Sequence, residues 1–353
     1  MNFGILVAAK TDDAGFVAHL ENLGYSHAWV GDSQMLWSDC YATLALAAQL
    51  TRRINLGTGV AIPATRIAPV TAHSIASISR LAPGRTFLGL GTGYTAMRAM
   101  GQKPMKQKDF REYVEVVRAL LNRQEVAHTY QGHTALAKFL MEEDKFIELD
   151  HHIPIYFSAF GPKAQRMAGE LADGIITGIP RGGPPSEAIA RARVGAEHSG
   201  RGFDDFFTCG LANVMMLEKG ESHTSDRVLR EVGAAVMMAA HYIYDQIGET
   251  GGEPPHFVRG IWKEYVEHVR QIPESHRHLW QHRSHYNYLR EDEARFVTKD
   301  MVRANCIIGT PEEVIERIRE LEQQGLKHLF FLPSLASQYR VAEDFSRLVM
   351  AKF

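Results

Sequence analysis

The chain of 353 residues carries 39 basic and 41 acidic side chains, and its net charge of −2 gives no electrostatic attraction to nucleic acid or to an anionic membrane. We therefore expect a small organic substrate, with neither nucleic acid nor a membrane as partner. The three cysteines are widely spaced and no apolar run is long enough to cross a membrane, which predicts a cytoplasmic protein without disulfide bonds.

Short hydrophobic runs alternate with amphipathic segments along most of the chain. Runs such as Ile5-Leu6-Val7 are continuously apolar, which is typical of parallel strands buried on both faces. Helix-start signals, Asp39 and Thr310-Pro311 among them, lie between the runs. The predicted strands are 2–9, 27–32, 54–62, 86–92, 154–160, 174–179, 207–217 and 327–333. Eight such units predict an α/β fold, a (β/α)8 TIM barrel that forms one domain over 1–353.

Two segments interrupt the repeat. Residues 123–153 are predicted to form a polar hairpin before the fifth strand. Residues 218–303 are predicted to form a mainly helical insertion after strand seven, with helices at 224–247 and 256–270 and a histidine-rich segment at 276–288. Because functional loops of such barrels follow the carboxyl ends of the strands, we expect this insertion to cap a substrate pocket or to contact a second subunit.

The order of several motifs resembles the bacterial luciferase-like superfamily. The motifs are AWVGD at 28–32, INLGTGV at 54–60, GRTFLGLGTG at 84–93 and AGELADG at 168–174, and the similarity extends through GTPEE at 309–313 to the last strand. Members of this superfamily are barrel oxidoreductases that use FMN or the deazaflavin F420. The resemblance covers nearly the whole chain except the insertion, and it also implies a homodimer formed through barrel helices.

The resemblance implies a cofactor site at the carboxyl ends of strands three to six. Gly59, Val60 and Ala61 match a bulge in which relatives hold a non-prolyl cis peptide behind the flavin ring. The turn that begins at Ser158 precedes a helix whose positive end suits the cofactor phosphate. The other expected cofactor contacts are Gly91, Thr92, Gly93, Ser158, Ala159, Phe160, Gly161 and Gly178. An ordinary strand end or tight turn is the alternative explanation for the glycines.

Substrate and catalytic residues are expected on the loops around this site. Asp32 ends strand two, where relatives often carry an acid followed by histidine, but Ser33 follows here, which argues against a sugar-phosphate dehydrogenase. Tyr94 stands where several F420 enzymes have a carboxylate; it is a candidate proton donor or a packing residue, and the difference argues against F420. The substrate-binding candidates are Gln34, Trp37 and Arg66.

The histidine-rich segment raises the question of a metal site. His278 and His282 are spaced so as to share one helix face, but no flanking acid completes a binding pattern, and we predict no metal. A solvated helix face and a pocket lining are the alternatives. Because imidazole titrates near neutral pH, His282 and His285 are the catalytic candidates as general acid or base.

Two activities fit these expectations. The first is a two-component monooxygenase that takes reduced FMN from a separate flavin reductase and oxygenates a small organic substrate through a flavin C4a-peroxide. The alternative is an F420-dependent reductase that passes a hydride to an imine, alkene or carbonyl. A non-catalytic flavin-binding protein is a third interpretation.

Overall fold

The structure, a computed structural model, describes all residues from 1 to 353. Its β-strands are Asn2–Val7 (β1), His27–Val30 (β2), Asn55–Ala61 (β3), Thr86–Leu90 (β4), Val126–Tyr130 (β5), His133–Ala137 (β6), Ile155–Ser158 (β7), Gly174–Ile179 (β8), Phe207–Ala212 (β9), Val214–Met216 (β10), Ile307–Gly309 (β11) and His328–Phe331 (β12).

The α-helices are Gly15–Asn22 (α1), Cys40–Leu50 (α2), Ala68–Leu81 (α3), Tyr94–Ala99 (α4), Gln107–Leu121 (α5), Pro162–Leu171 (α6), Pro185–His198 (α7), Asp226–Thr250 (α8), Arg259–Arg270 (α9), Arg277–His282 (α10), Glu291–Ala294 (α11), Lys299–Asn305 (α12), Pro311–Gln323 (α13) and Gln338–Leu348 (α14). None of them is long and apolar enough to cross a membrane.

Eight parallel strands close a barrel in the order β1-β12-β9-β8-β7-β4-β3-β2. This confirms the predicted (β/α)8 barrel, and each predicted strand contains one strand of the barrel. The predicted helix starts are also present, since Asp39 caps α2 and Thr310 forms a capping box with Glu313 at the start of α13. The carboxyl ends of the strands therefore meet at one face of the barrel, where the expected site residues lie.

Aromatic side chains fill the barrel interior. Trp29 stacks on Phe330, with ring centroids 4.4 Å apart and an interplanar angle of 14°. At the amino ends of the strands, the rings of His27 and His328 lie 4.6 Å apart, and Trp29 Nε1 donates to His328 Nε2 at 3.1 Å. Burial lowers the pKa of His27 to about 4, so the floor of the barrel is neutral at neutral pH.

The predicted strand 207–217 covers two strands of the structure, β9 and β10, of which only β9 belongs to the barrel. The chain leaves the barrel at Asn213, and β10 pairs with β11 in a separate two-stranded parallel sheet. Asn213 accounts for the break, because its side chain donates to Asn305 O at 3.0 Å and its carbonyl accepts from Ile307 N at 2.8 Å. Side-chain periodicity alone does not reveal such a change of partner.

The segment between β10 and β11 carries α8 to α12 and has its own buried core. Val236, Tyr265 and Phe296 lie in this core, and the 25-residue helix α8 is its longest element. We call residues 218–303 the cap. The polar hairpin predicted within 123–153 is also present, as the antiparallel pair of β5 and β6.

Candidate functional site

A bulge in β3 shapes the carboxyl end of the barrel. The Gly59–Val60 peptide bond is cis, as the resemblance implies. The pairing of β3 with β4 shifts register at this point, from Thr58 opposite Leu88 to Ala61 opposite Leu90. Val60 thereby packs against the cluster that fills the barrel interior.

Small residues line the neighbouring strand ends. A β-carbon on Gly91, the residue after β4, would lie 2.7 Å from Val60 Cγ2 of β3 and 3.3 Å from Ser158 Cβ of β7, so these three residues are in contact. Gly178 at the end of β8 lies beside the ring of Phe160, which is 52% exposed. We call Val60, Gly91, Ser158 and Gly178 the cradle.

The glycines of the 91–93 turn also have a packing reason. Gly93 has a φ of 84°, and a β-carbon there would lie 2.5 Å from Ile62 Cγ2. The half-buried Thr92 makes no hydrogen bond with its hydroxyl, whereas its carbonyl accepts from Met105 N at 3.0 Å. The Thr92 hydroxyl is therefore available to a ligand. For Gly93, the tight turn and the close contact with Ile62 already explain why a glycine stands there.

Two helix N-termini open beside the cradle. Helices α6 and α7 begin with Pro162 and Pro185, and no side chain caps either one. A β-carbon on Gly161 or Gly183 would meet no atom within 4 Å, so the backbone there is accessible. Ala159 offers no free amide, because its N–H donates to Ile176 O at 2.9 Å. The free N–H groups at the positive helix ends suit a phosphate.

Asp32, Gln34 and Arg66 form one buried network. The Asp32 carboxylate accepts from Arg66 Nη1 at 3.0 and 3.1 Å, from Gln34 Nε2 at 2.5 Å and from Ile62 N at 3.1 Å. Arg66 Nη2 also donates to Asp39 Oδ2 at 2.5 Å. Since both Asp32 oxygens are occupied and the guanidinium is shared between two acids, this geometry gives Asp32 and Arg66 a positioning role at the end of β3.

Tyr94 faces the cap rather than the cradle. Its hydroxyl donates to Asp245 Oδ2 at 3.1 Å, and the Arg98 guanidinium lies 4.5 Å from its ring centroid. Burial, and then the nearby Asp245 carboxylate, raise the pKa of Tyr94. Tyr94 therefore joins α4 to α8, and Asp245 was not anticipated from the sequence.

The two candidate histidines are buried where the cap meets the barrel. His282 is 2% exposed and neither ring nitrogen has a hydrogen-bond partner. His285 packs against Trp37, with ring centroids 5.7 Å apart, and its Nδ1 lies 3.2 Å from Met238 Sδ. Burial lowers the pKa of His282 to about 3 and that of His285 well below its usual value, so both are neutral at neutral pH.

A pair formed by a histidine and a glutamate lies deeper in the cap. His241 Nε2 is 2.6 Å from Glu293 Oε1, and both side chains are buried. Arg290 Nη2 lies 2.8 Å from the same carboxylate oxygen, an ionic contact without hydrogen-bond geometry. His241 and Glu293 are 52 residues apart in the chain, and no local pattern announces their contact. No group of three or more histidine, cysteine or acidic side chains is arranged to hold a metal ion.

Tyr286 is the cap residue that reaches the barrel mouth. It packs against the cluster of the barrel interior and contacts His285 edge-on, with ring centroids 4.8 Å apart at 84°. Its backbone is left-handed, with a φ of 60°, which is uncommon for a tyrosine. In the sequence, nothing distinguishes it from the exposed Tyr288.

A closed (β/α)8 barrel with a cis peptide bond at Gly59–Val60 is the architecture that the resemblance to the luciferase-like class implies. The sequence profile of the family described as luciferase-like monooxygenase matches residues 9–328. The chain belongs to this family.

Relatives with assigned activities match most of the chain. It is 29% identical over 322 residues to 5,10-methylenetetrahydromethanopterin reductase of Archaeoglobus fulgidus, which covers 88% of this chain and 86% of the relative. It is 32% identical over 202 residues to F420-dependent hydroxymycolic acid dehydrogenase of Mycobacterium tuberculosis, which covers 52% of this chain and 54% of the relative.

The fold is also found in a solved structure. Coenzyme F420-dependent tetrahydromethanopterin reductase from Methanopyrus kandleri aligns with a TM-score of 0.71 and 21% sequence identity. The alignment covers 100% of this chain and 99% of that one, so the cap and the hairpin lie within the shared fold.

Proposed function

We propose that this protein is an F420-dependent oxidoreductase that reduces a small organic acceptor. The observation that supports this proposal most is the reductase of Archaeoglobus fulgidus, which is similar over 88% of the chain. A dehydrogenase that is similar over half of the chain has F420 in its name. These relatives favour the second of the two activities expected from the sequence over the monooxygenase that uses FMN.

The cradle and the helix ends fit a deazaflavin. The cradle residues have small side chains, of which Val60 is the largest, and the uncapped start of α6 offers N–H groups to a phosphate. When bound, the reduced deazaflavin supplies a hydride. The protein's own residues bind and orient the acceptor, and the cap excludes water from the barrel mouth.

The departures at Ser33 and Tyr94 do not oppose this cofactor. Neither residue belongs to the cradle, and the Tyr94 hydroxyl donates to Asp245 of the cap. The residues that are proposed to hold the ring of the cofactor are therefore unaffected by these two departures.

Anaerobic titration calorimetry with F420 and with reduced FMN tests the proposal. We expect F420 to bind the purified protein and reduced FMN to bind at least about tenfold more weakly, which corresponds to roughly 1.4 kcal/mol. Selective binding of reduced FMN would support the monooxygenase instead. If neither binds, the protein is not an F420 enzyme.

A matched pair of variants locates the site. Gly178→Leu places a side chain into the cradle, where the nearest atom to its β-carbon is 3.4 Å away, so we expect a folded protein that has lost F420 binding. Gly260→Leu adds the same side chain where no atom lies within 4 Å, and we expect unchanged affinity. Equal affinity in both variants would place the cofactor elsewhere.

A further inference from the structure

A carbonyl or imine acceptor needs a proton as well as a hydride, and most polar groups at the barrel mouth are already engaged. Asp32 accepts from three donors, and Arg66 is shared between two carboxylates. The Tyr94 hydroxyl donates a hydrogen bond to Asp245. His282 and His285 are neutral, so neither ring carries the extra proton that an imidazolium acid would donate.

Tyr286 differs from these groups in both position and state. It is half-buried, packs against the cluster of the barrel interior and makes no hydrogen bond to the protein with its hydroxyl. Its left-handed backbone turns the chain sharply after the buried His285. Burial raises the pKa of the Tyr286 phenol, so it carries its proton at neutral pH.

The geometry points to Tyr286 as the proton donor of this enzyme toward a carbonyl or imine acceptor, an inference that rests on the proposed function. The acceptor carbon gains the hydride that the reduced deazaflavin supplies, and the π electron pair moves to oxygen or nitrogen. That atom forms a bond to the Tyr286 proton as the phenolic O–H bond breaks. Water then returns a proton to the phenolate.

Arg181 is the charged side chain that acts on the Tyr286 phenol, and its positive charge opposes the burial that raises the pKa of that phenol. Its guanidinium lies against the ring of Tyr242 at 5.4 Å and donates to Asn305 Oδ1 at 3.2 Å. A positive charge at this place favours the phenolate that remains after the proton has been transferred. His285, which contacts Tyr286 edge-on, is uncharged.

The test compares Tyr286→Phe with Tyr288→Phe, a control in which the altered ring is exposed. Each protein is loaded with oxidised F420 and then with cyclohexanone labelled with carbon-13 at its carbonyl, and the carbonyl stretch is recorded by infrared spectroscopy. A hydrogen bond lowers that frequency. We expect the lowered band in the wild type and in Tyr288→Phe, and its loss in Tyr286→Phe.

Turnover of the same ketone with reduced F420 gives a second measurement. Loss of a positioned proton donor should lower kcat of Tyr286→Phe by about 10²- to 10³-fold and leave F420 affinity unchanged. An unaltered band and an unaltered kcat would overturn the inference, as would a wild type that binds F420 but not the ketone. A wild type that does not bind F420 overturns the proposed function instead.

Discussion

Asp32 and Arg66 form an ion pair at the end of β2 and β3, in which one guanidinium nitrogen lies 3.0 and 3.1 Å from the two carboxylate oxygens. The Asp32 side chain is 2% exposed and that of Arg66 is 17% exposed. The same carboxylate accepts from Ile62 N, just beyond the bulge of β3. This pair thus connects the loop after β2 to the strand that carries Val60.

Removal of the arginine should destabilise the protein strongly. Arg66→Met leaves the Asp32 carboxylate buried beside an apolar side chain, and we expect the free energy of unfolding to fall by about 3–5 kcal/mol. Urea denaturation measures the change. Arg347→Met is the control, because Arg347 is 67% exposed beside Asp344 and its loss should cost less than about 1 kcal/mol. Equal effects of the two substitutions would contradict a structural role for the buried pair.

The histidines at the barrel floor should make stability depend on pH. Burial lowers the pKa of His27 to about 4, below the value of 6.5 expected in the unfolded chain. The unfolded state therefore binds more protons between these values, so stability is full above pH 6.5 and is lost as the pH falls toward 4. One such group contributes a slope of about 1.4 kcal/mol per pH unit.

Denaturation of the wild type and of His27→Phe at several pH values between 7 and 4 checks this dependence. The buried His328 titrates beside His27, and its pKa is lowered as well, so the variant should retain part of the slope. We expect the pH slope of the free energy of unfolding to be shallower in His27→Phe than in the wild type by roughly 1.4 kcal/mol per pH unit, the contribution of one group. Parallel curves would show that His27 does not carry the effect.

Gly91 should be sensitive to a single methyl group. In Gly91→Ala the new β-carbon would lie 2.7 Å from Val60 Cγ2, and we expect a loss of about 1–3 kcal/mol in stability together with weaker F420 binding. The double variant Gly91→Ala/Val60→Ala removes the clash and should recover part of both. Gly260→Ala, in an open position on α9, should be neutral or slightly stabilising. Additive losses in the double variant would rule out contact between the two residues.

The buried pair in the cap should control its rigidity. Glu293→Leu removes the buried carboxylate that His241 shares with Arg290, and Arg290 keeps only Asp292 as an acidic partner. We expect about 3–5 kcal/mol less stability and faster amide exchange in α8. Glu264→Leu is the control, since Glu264 is 64% exposed where it faces Arg295. Unchanged exchange in α8 after Glu293→Leu would show that the pair does not hold the cap.

The sequence predicts the barrel well because its signals are local. Continuous apolar runs mark the strands, and caps such as Thr310 mark the helices that follow. The bulge at Gly59–Val60 is also expected, although from the resemblance rather than from the residues themselves. The course of the chain after Asn213 is not predictable, because β10 keeps the apolar pattern while it changes its partner.

The polar contacts of the cap are beyond local patterns. Tyr94 and Asp245 are separated by 151 residues, and only the packing of α8 over the barrel brings them together. The same packing buries His282, which a solvated helix face would have left exposed. The interpretation of Tyr94 as a candidate proton donor rested on its position in the chain, and the structure shows its hydroxyl directed to Asp245 of the cap.

The sheet of β10 and β11 joins the two ends of the cap. Val214 is paired with Ile307 and Met216 with Gly309, so the roughly ninety residues between them leave the barrel and return to it at one place. The closed barrel contains no strand of this segment, so its hydrogen-bonded frame is complete without the cap. If the cap sets the substrate preference, a chimaera that takes residues 218–303 from a relative should keep the barrel and acquire the relative's preference.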